Sequence, residues 1–313
     1  DGISVNVDAN SVSYSGSLPT AGQSGSFYSA TGKNYPDNRT AKYFEDITNT
    51  DSQGLVGANY ADSISVLGNK DEYVFNIVSA PGLIYDYGNH KTQLDSIISL
   101  AETRGDCISV VDLEQYGATV SNVVAAASTV NSSYAAGYWP WLQTASSTGK
   151  NVWIPASVVI PGVYAFTDGA AAPWFAPAGL TRGGISDVIQ AERKLTRTQR
   201  DTLYKSNINP IATFPGAGIS VFGQKTLQKK SSALDRVNVR RLLIALKKFI
   251  GDVSRNLVFE QNTTATRNNF LAQVNPYLER NQLIGQIFIQ PAKTVEFIVL
   301  DFTVEPTGAS FGG

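Results

Sequence analysis

Apolar positions in this chain switch between a helical and a strand period several times. The clearest helical pattern lies between Ser232 and Asn262. There Val239, Leu242, Leu243, Leu246, Phe249, Ile250 and Val253 recur at 3.6-residue spacing and fall in one stripe of roughly 120°. Arg236, Arg240, Arg241, Lys247 and Lys248 fall outside it, with Ile244 as the one apolar exception among them. The pattern predicts a helix with one core face and one basic face suited to an anionic partner; a solvated face is the bland alternative. A short apolar strand is expected after it, before Asn262.

Elsewhere the pattern divides the chain into three pieces, 1–66, 67–181 and 182–313. The first is rich in Gly, Ser, Asn and Tyr. Its alternating patches Ile3–Val7 and Ser11–Tyr14 predict short strands in a β-rich extension, part of a truncated outer domain. The second reads as α/β. Strands are expected over 73–78, 107–111 and 151–155, and helices over 91–102, with Leu94, Ile97, Ile98 and Ala101 on one face, and over 120–130. Strand–helix–strand order with continuous apolar strands implies a buried, partly parallel sheet.

The third piece predicts a helix over 196–203 with Thr196 as N-cap, a hairpin of 208–214 with 219–223, and a helix over 264–279. On that last helix Phe270, Leu271, Val274, Tyr277 and Leu278 share a face, and Pro276 is expected to kink or restart it. Two closing strands, 283–289 and 294–304, carry apolar residues on both faces. Val295, Phe297 and Val299 alternate with Ile298 and Leu300, ahead of Phe302. A terminal strand covered on both sides suits donation to a neighbour's sheet, although an ordinary hairpin fits the same pattern. The fold class expected is therefore mixed α+β and α/β.

Composition narrows the function classes. The chain has 313 residues, 16% charged, with a formal net charge of −1, so no strong overall field directs it to nucleic acid or membrane. No run of 18 apolar residues marks a membrane span, and no signal-peptide pattern is present. Cys107, the single cysteine, lies in a strand-like apolar setting and reads as a small buried hydrophobe. The absence of methionine leads us to expect a C-terminal portion of a longer chain.

Candidate chemistry is sparse. Asp112 follows a predicted strand, where α/β folds often place functional residues, but no base, acidic pair or phosphate loop accompanies it. A cap on the next segment is the better reading. His90, the only histidine, reads as a surface loop or helix start, without triad partners. Gly216 and Gly218 lack the rest of a phosphate-loop signature. The polar run Asn49, Asp51, Gln53, Gly54 ends in Tyr60 where a calcium loop needs a bidentate Glu, so a turn is expected. No catalytic, cofactor or metal site is expected. The rival classes are a nucleic-acid-binding module using the basic helix and a hydrolase around Asp112 or His90.

Several short words occur in a particular order: Ser132-Ser133-Tyr134-Ala135-Ala136 with Tyr138-Trp139-Pro140-Trp141; Pro155-Ala156-Ser157 with Gly162, Tyr164, Ala165 and Asp168; Ala176-Pro177-Ala178-Gly179; Asn238-Val239-Arg240-Arg241; Phe259-Glu260-Gln261-Asn262; and the closing Gln290 to Phe302. In that order they resemble the contractile tail sheath proteins of bacteriophages and related injection machines. Gln261 departs from the family's proline, and a further strand usually found between Glu279 and Arg280 is missing. The resemblance implies subunits stacked as hexameric rings round a tail tube. It also implies contraction from a metastable extended state, baseplate and tail terminator proteins as partners, and a place in the virion after assembly in the host cytoplasm. A sheath of a non-phage secretion system is the alternative. On this reading Arg236, Arg240, Arg241, Lys247 and Lys248 face the tube. The strand of Val295, Phe297, Val299, Leu300 and Phe302 links subunits.

Overall fold

The computed structural model describes residues 60–280 apart from 148 and 262, and before them positions 47, 49, 51, 52, 55 and 56. The strands expected in 1–14 and the closing strands with Val295, Phe297, Val299, Leu300 and Phe302 lie outside the described residues. The elements in chain order are β1 (Asp51–Ser52), β2 (Leu55–Val56), α1 (Tyr60–Val66), β3 (Ile77–Ile84), α2 (Gly88–Arg104), β4 (Ile108–Asp112), α3 (Val120–Ser128), β5 (Ala135–Trp139), β6 (Leu142–Ala145) and β7 (Asn151–Ile154). They continue with α4 (Ile160–Ala170), α5 (Gly179–Arg182), β8 (Gly184–Ile185), β9 (Gln190–Ala191), α6 (Arg197–Lys205), β10 (Ile208–Phe214), β11 (Gly218–Val221), α7 (Val237–Arg255) and α8 (Thr264–Arg280).

A six-stranded sheet in the order β3-β4-β5-β10-β11-β8 organises the first compact unit, which ends at Arg240. Its first four strands are parallel, in register Ile77↔Ile108, Ser109↔Ala135 and Ile208↔Gly137, while β11 and β8 join antiparallel. The sheet runs across the expected 181/182 division, since β10 pairs with β5 and is followed in the sheet by β11 and β8.

Alternation along the strands sorts the two faces. Val111 and Trp139 join Leu94, Ile97, Val123 and Leu203 in the core under α2, α3 and α6. Asp112 and Tyr138 turn the other way, toward Ser157 in the short 3-10 turn Ala156–Val158 and toward Tyr164 in α4; the Tyr138 and Tyr164 hydroxyls are 2.6 Å apart.

Local chemistry explains the boundaries. Gly105 at φ +68° closes α2 in the left-handed region. Thr196 is the N-cap of α6, as the sequence predicts, and it forms a reciprocal capping box with Gln199. The strand expected over 73–78 instead runs 77–84. Arg104 occupies the carbonyls before it, donating to Tyr73 O (2.7 Å) and Leu67 O (2.6 Å), pairing Asp106 and lying over Phe75. Pro and Gly disfavour strand interiors in general, yet β3 passes through Pro81 and Gly82 at an edge with a register shift, and Gly82 takes φ +93°. The third main-sheet strand is β5, not 151–155; β7 belongs to a separate antiparallel sheet, β7-β6-β9.

The second unit starts at Arg241. Within it Phe249 of α7 stacks on Tyr277 of α8, with centroids 4.2 Å apart, and Phe270 and Val274 are buried. Pro276 sits inside α8 and does not restart it. The apolar strand expected before Asn262 is a turn: Phe259 takes φ +70° and is 77% exposed.

Candidate functional site

The basic helix expected near 236–248 is α7, but its cations do not form one open face. Arg236 lies just before it. Its Nε pairs with Asp235 (3.1 Å), and its Nη1 donates to the Tyr204 hydroxyl (2.5 Å). Arg240 is 5% exposed. Its guanidinium lies 3.8 Å from the Tyr134 ring centroid, donates through Nε to Ser133 O (3.3 Å), and bonds Ser133 Oγ through Nη2. Burial lowers its pKa. Arg241 is 4% exposed. Lys247 is half-buried and Lys248 exposed.

Two of the five cations expected on an open face are therefore buried. The reason is visible for Arg240: Ser133 and Tyr134 satisfy the guanidinium, so that side of the helix can be covered without stranding a charge. Ile244, the apolar exception, is buried as well. At 100° per residue the buried positions Val237, Arg240, Arg241, Leu243, Ile244, Leu246, Ile250 and Ser254 sweep roughly 220°, wider than the apolar stripe.

Asp112 also finds a partner that spacing does not reveal. It does not cap the segment after β4. Its carboxylate accepts from Ser157 N (3.1 Å) and Ser157 Oγ (2.5 Å), 45 residues on. Burial raises its pKa to about 7, against the opposing pull of those two bonds. Glu114, two residues on, is raised to about 7, by burial first and then by Asp86.

Asn209 forms a third joint in this unit. It donates to Gly137 O (3.1 Å) and Lys225 O (2.7 Å) and accepts from Lys225 N (2.6 Å), tying β5, β10 and the strand-like return after β11. Sequence reading missed all three joints. The one signal for the first two was the presence of Ser133, Tyr134, Ser157 and Arg240 inside the words that carry the sheath resemblance.

The remaining candidates take structural places. His90 starts α2 as expected, but it is fully buried rather than on a surface loop, with Nδ1 accepting from Ile84 N (3.2 Å). Cys107 is buried, and burial pushes its thiol up to about 12, far from a reactive thiolate. Asn49 accepts from Asn89 N (3.2 Å) beside the β1–β2 turn. Among the described residues no group of three His, Cys, Asp or Glu is placed to hold a metal, and no helix is long and apolar enough to cross a membrane.

Comparison with known proteins bears on this arrangement. The family described as phage tail sheath protein central domain matches residues 53–227. The tail sheath protein of Vibrio phage KVP40 is 36% identical over 188 residues, covering 52% of this chain and 28% of that protein. That of Enterobacteria phage T4 is 34% identical over 187 residues, covering 51% and 28%. The Salmonella phage ViI tail sheath protein is 26% identical, covering 83% of this chain and 49% of its own length. The chain thus spans between about a quarter and a half of these relatives. Among solved structures, the contracted-state sheath complex of an extracellular contractile injection system shares the fold with TM-score 0.60 at 24% identity, covering 77% of this chain and 74% of that one. The contracted helical sheath of the anti-feeding prophage does so with TM-score 0.55 at 23% identity, covering 79% and 75%. The family match takes in every strand of the six-stranded sheet and more than half of the sequence, and the chain belongs to the phage tail sheath protein family.

Proposed function

We propose that this chain is the polymerising part of a contractile tail sheath subunit, which stacks as hexameric rings around a tail tube and drives the tube through an envelope on contraction. The observation that carries the reading is the family match over 53–227. The family's named members here are structural tail sheath proteins of phages, which favours a structural role over catalysis and a phage tail over a secretion machine. The energy is stored at assembly, so the subunit needs rigid domains with two packings and no nucleotide. The strand of Val295, Phe297, Val299, Leu300 and Phe302 ties neighbouring subunits in this reading. Baseplate and terminator proteins close the two ends, and assembly in the host cytoplasm places the chain in the virion.

Contact with the tube falls to Lys247 and Lys248, since Arg240 and Arg241 are buried and Arg236 is engaged by Asp235 and Tyr204. Such contacts are individually weak but repeat over many subunits. The test is negative-stain electron microscopy of the full-length protein with and without its tube protein, for the wild type and for Lys247→Glu/Lys248→Glu. Striated tubes of uniform width from the wild type, with tube-dependent assembly impaired in the variant, are expected. Normal sheathing by the variant would remove the tube-facing role. Monomers of the wild type under every condition would overturn the sheath reading.

A further inference from the structure

The charge of this chain is segregated. Residues 60–191 hold eleven Asp and Glu against five Lys and Arg, a net −6, whereas residues 192–240 hold ten Lys and Arg against three Asp and Glu, a net +7. Exposed members of each sign stand on separate elements. Tyr204 of α6 is flanked by Lys225, 4.8 Å from its ring centroid, and by Arg236, at 5.8 Å. Lys205 is the next residue of α6 and is exposed. Lys229 and Lys230 are exposed on the segment that Asn131 holds through Lys229 N (2.9 Å) and that Gln228 closes onto Lys230 O and Ser232.

The acidic side is α1 and the turn after it, where Asp62, Asp71 and Glu72 are exposed. The cation among them, Lys70, is engaged by the C-terminal carbonyls of α2, donating to Thr103 O (3.2 Å) and Arg104 O (2.6 Å). Val66 and Val74, 52% and 65% exposed, lie beside these acids in the chain. Acids with open valines suit a protein surface better than a bare ion or a nucleic acid.

Element packing separates the two patches. α1 packs on α2, which covers β3 and β4, while α6 covers β10 on the far side of β5. Two complementary patches at different places on one chain make a heterologous contact. Such a contact propagates head to tail and gives rings or helical polymers, whereas a self-complementary patch gives closed dimers. Charge complementarity also fixes register and suppresses wrong partners.

We infer that the basic patch of Lys205, Lys225, Lys229, Lys230 and Arg236 docks on the acidic patch of Asp62, Asp71 and Glu72 of a second copy of this chain. The inference rests on the sheath reading and adds to it which surfaces meet. The acidic partner is another subunit rather than the tube because the same chain supplies both signs and nets to −1.

The test uses the full-length protein and three variants: Lys205→Glu/Lys229→Glu/Lys230→Glu, Asp62→Lys/Asp71→Lys/Glu72→Lys, and both sets combined. All six side chains are exposed, so circular dichroism and thermal unfolding should match the wild type. Polymerisation is followed by sedimentation velocity and electron microscopy over a range of salt. Each one-sided reversal should raise the critical concentration about tenfold or more, and the combined variant should return to within about threefold of the wild type. Higher salt should weaken the wild type. One-sided variants that polymerise like the wild type, or a combined variant that is not rescued, would overturn the inference and leave the sheath reading standing. A silent acidic-set reversal with a basic set that loses only tube-dependent assembly would reassign the basic patch to the tube. A wild type that never polymerises would overturn both.

Discussion

Asp112 gives the sharpest quantitative test of the fold. The residue is 4% exposed and its carboxyl holds Ser157 by two hydrogen bonds, joining β4 to the turn ahead of α4. Burial raises its pKa from the ordinary 3.8 to about 7. A group raised in the folded state stabilises the protein fully below its unfolded pKa, and that stability is lost as pH rises through the folded value. For Asp112 the window runs from about pH 4 to pH 7, and integrating over pH 5 to pH 8 gives a loss of about 2–3 kcal/mol.

Asp112→Asn removes the titration and keeps the joint. The amide oxygen still accepts from Ser157 N, and the amide nitrogen can donate to Ser157 Oγ. All four tryptophans, Trp139, Trp141, Trp153 and Trp174, lie in the same unit as Asp112, so intrinsic fluorescence reports that unit's unfolding. Urea unfolding of dilute, unpolymerised protein should show the variant gaining about 2–3 kcal/mol on the wild type between pH 5 and pH 8. Glu114 titrates in the same range, and subtracting variant from wild type cancels most of its contribution. A difference constant within about 0.5 kcal/mol across that range would refute the reasoning, and a difference of opposite sign would mean the carboxylate is stabilised as the anion.

Two further perturbations probe the same unit. Arg240→Ala should cost about 2–4 kcal/mol in tryptophan-monitored unfolding, because the guanidinium leaves Ser133 and Tyr134 without their partner. Arg240→Lys should recover less than half, since an ammonium cannot lie flat on the ring and bond Ser133 at once. Gly82→Ala should cost about 1–3 kcal/mol, because Gly82 sits at φ +93° and an added Cβ would come within 2.4 Å of Ser52 Oγ. Adding Ser52→Ala should relieve the clash but not the backbone strain, leaving the double variant between the two.

Legibility in the sequence follows the range of the forces that set each element. α2 and α6 were readable because helical period and the Thr196 N-cap are local. The extent of β3 was not, since Pro81 and Gly82 break strands in general and are tolerated here by an edge position and a bulge. β5 hid for a different reason. All five of its residues are buried, so Ala135-Ala136-Gly137-Tyr138-Trp139 shows no alternation to detect. The strand period of 151–155 was right, but period does not name a partner, and the strand went to the smaller sheet.

The same limit governs the polar joints. On a helical wheel a buried arginine and a solvated one look alike, because the wheel records where a side chain points and not what waits for it. Arg240 is covered because Ser133 and Tyr134, 107 and 106 positions earlier, supply an acceptor and a ring face. Asp112 is covered because Ser157 supplies two donors. The separate words of the sheath resemblance thus hold halves of contacts. Ser133 and Tyr134 of one word meet Arg240 of another at one joint, and Asp112 at the end of β4 meets Ser157 of a third at another. A buried polar group without its partner costs more than the pair contributes, so neither half of such a joint can drift alone without loss of stability. Double variants that replace both halves by apolar groups of similar shape, such as Arg240→Met with Tyr134→Leu, should therefore lose less stability than the sum of the single changes. Strict additivity in that cycle would show that the words mark separate packing sites rather than one joint.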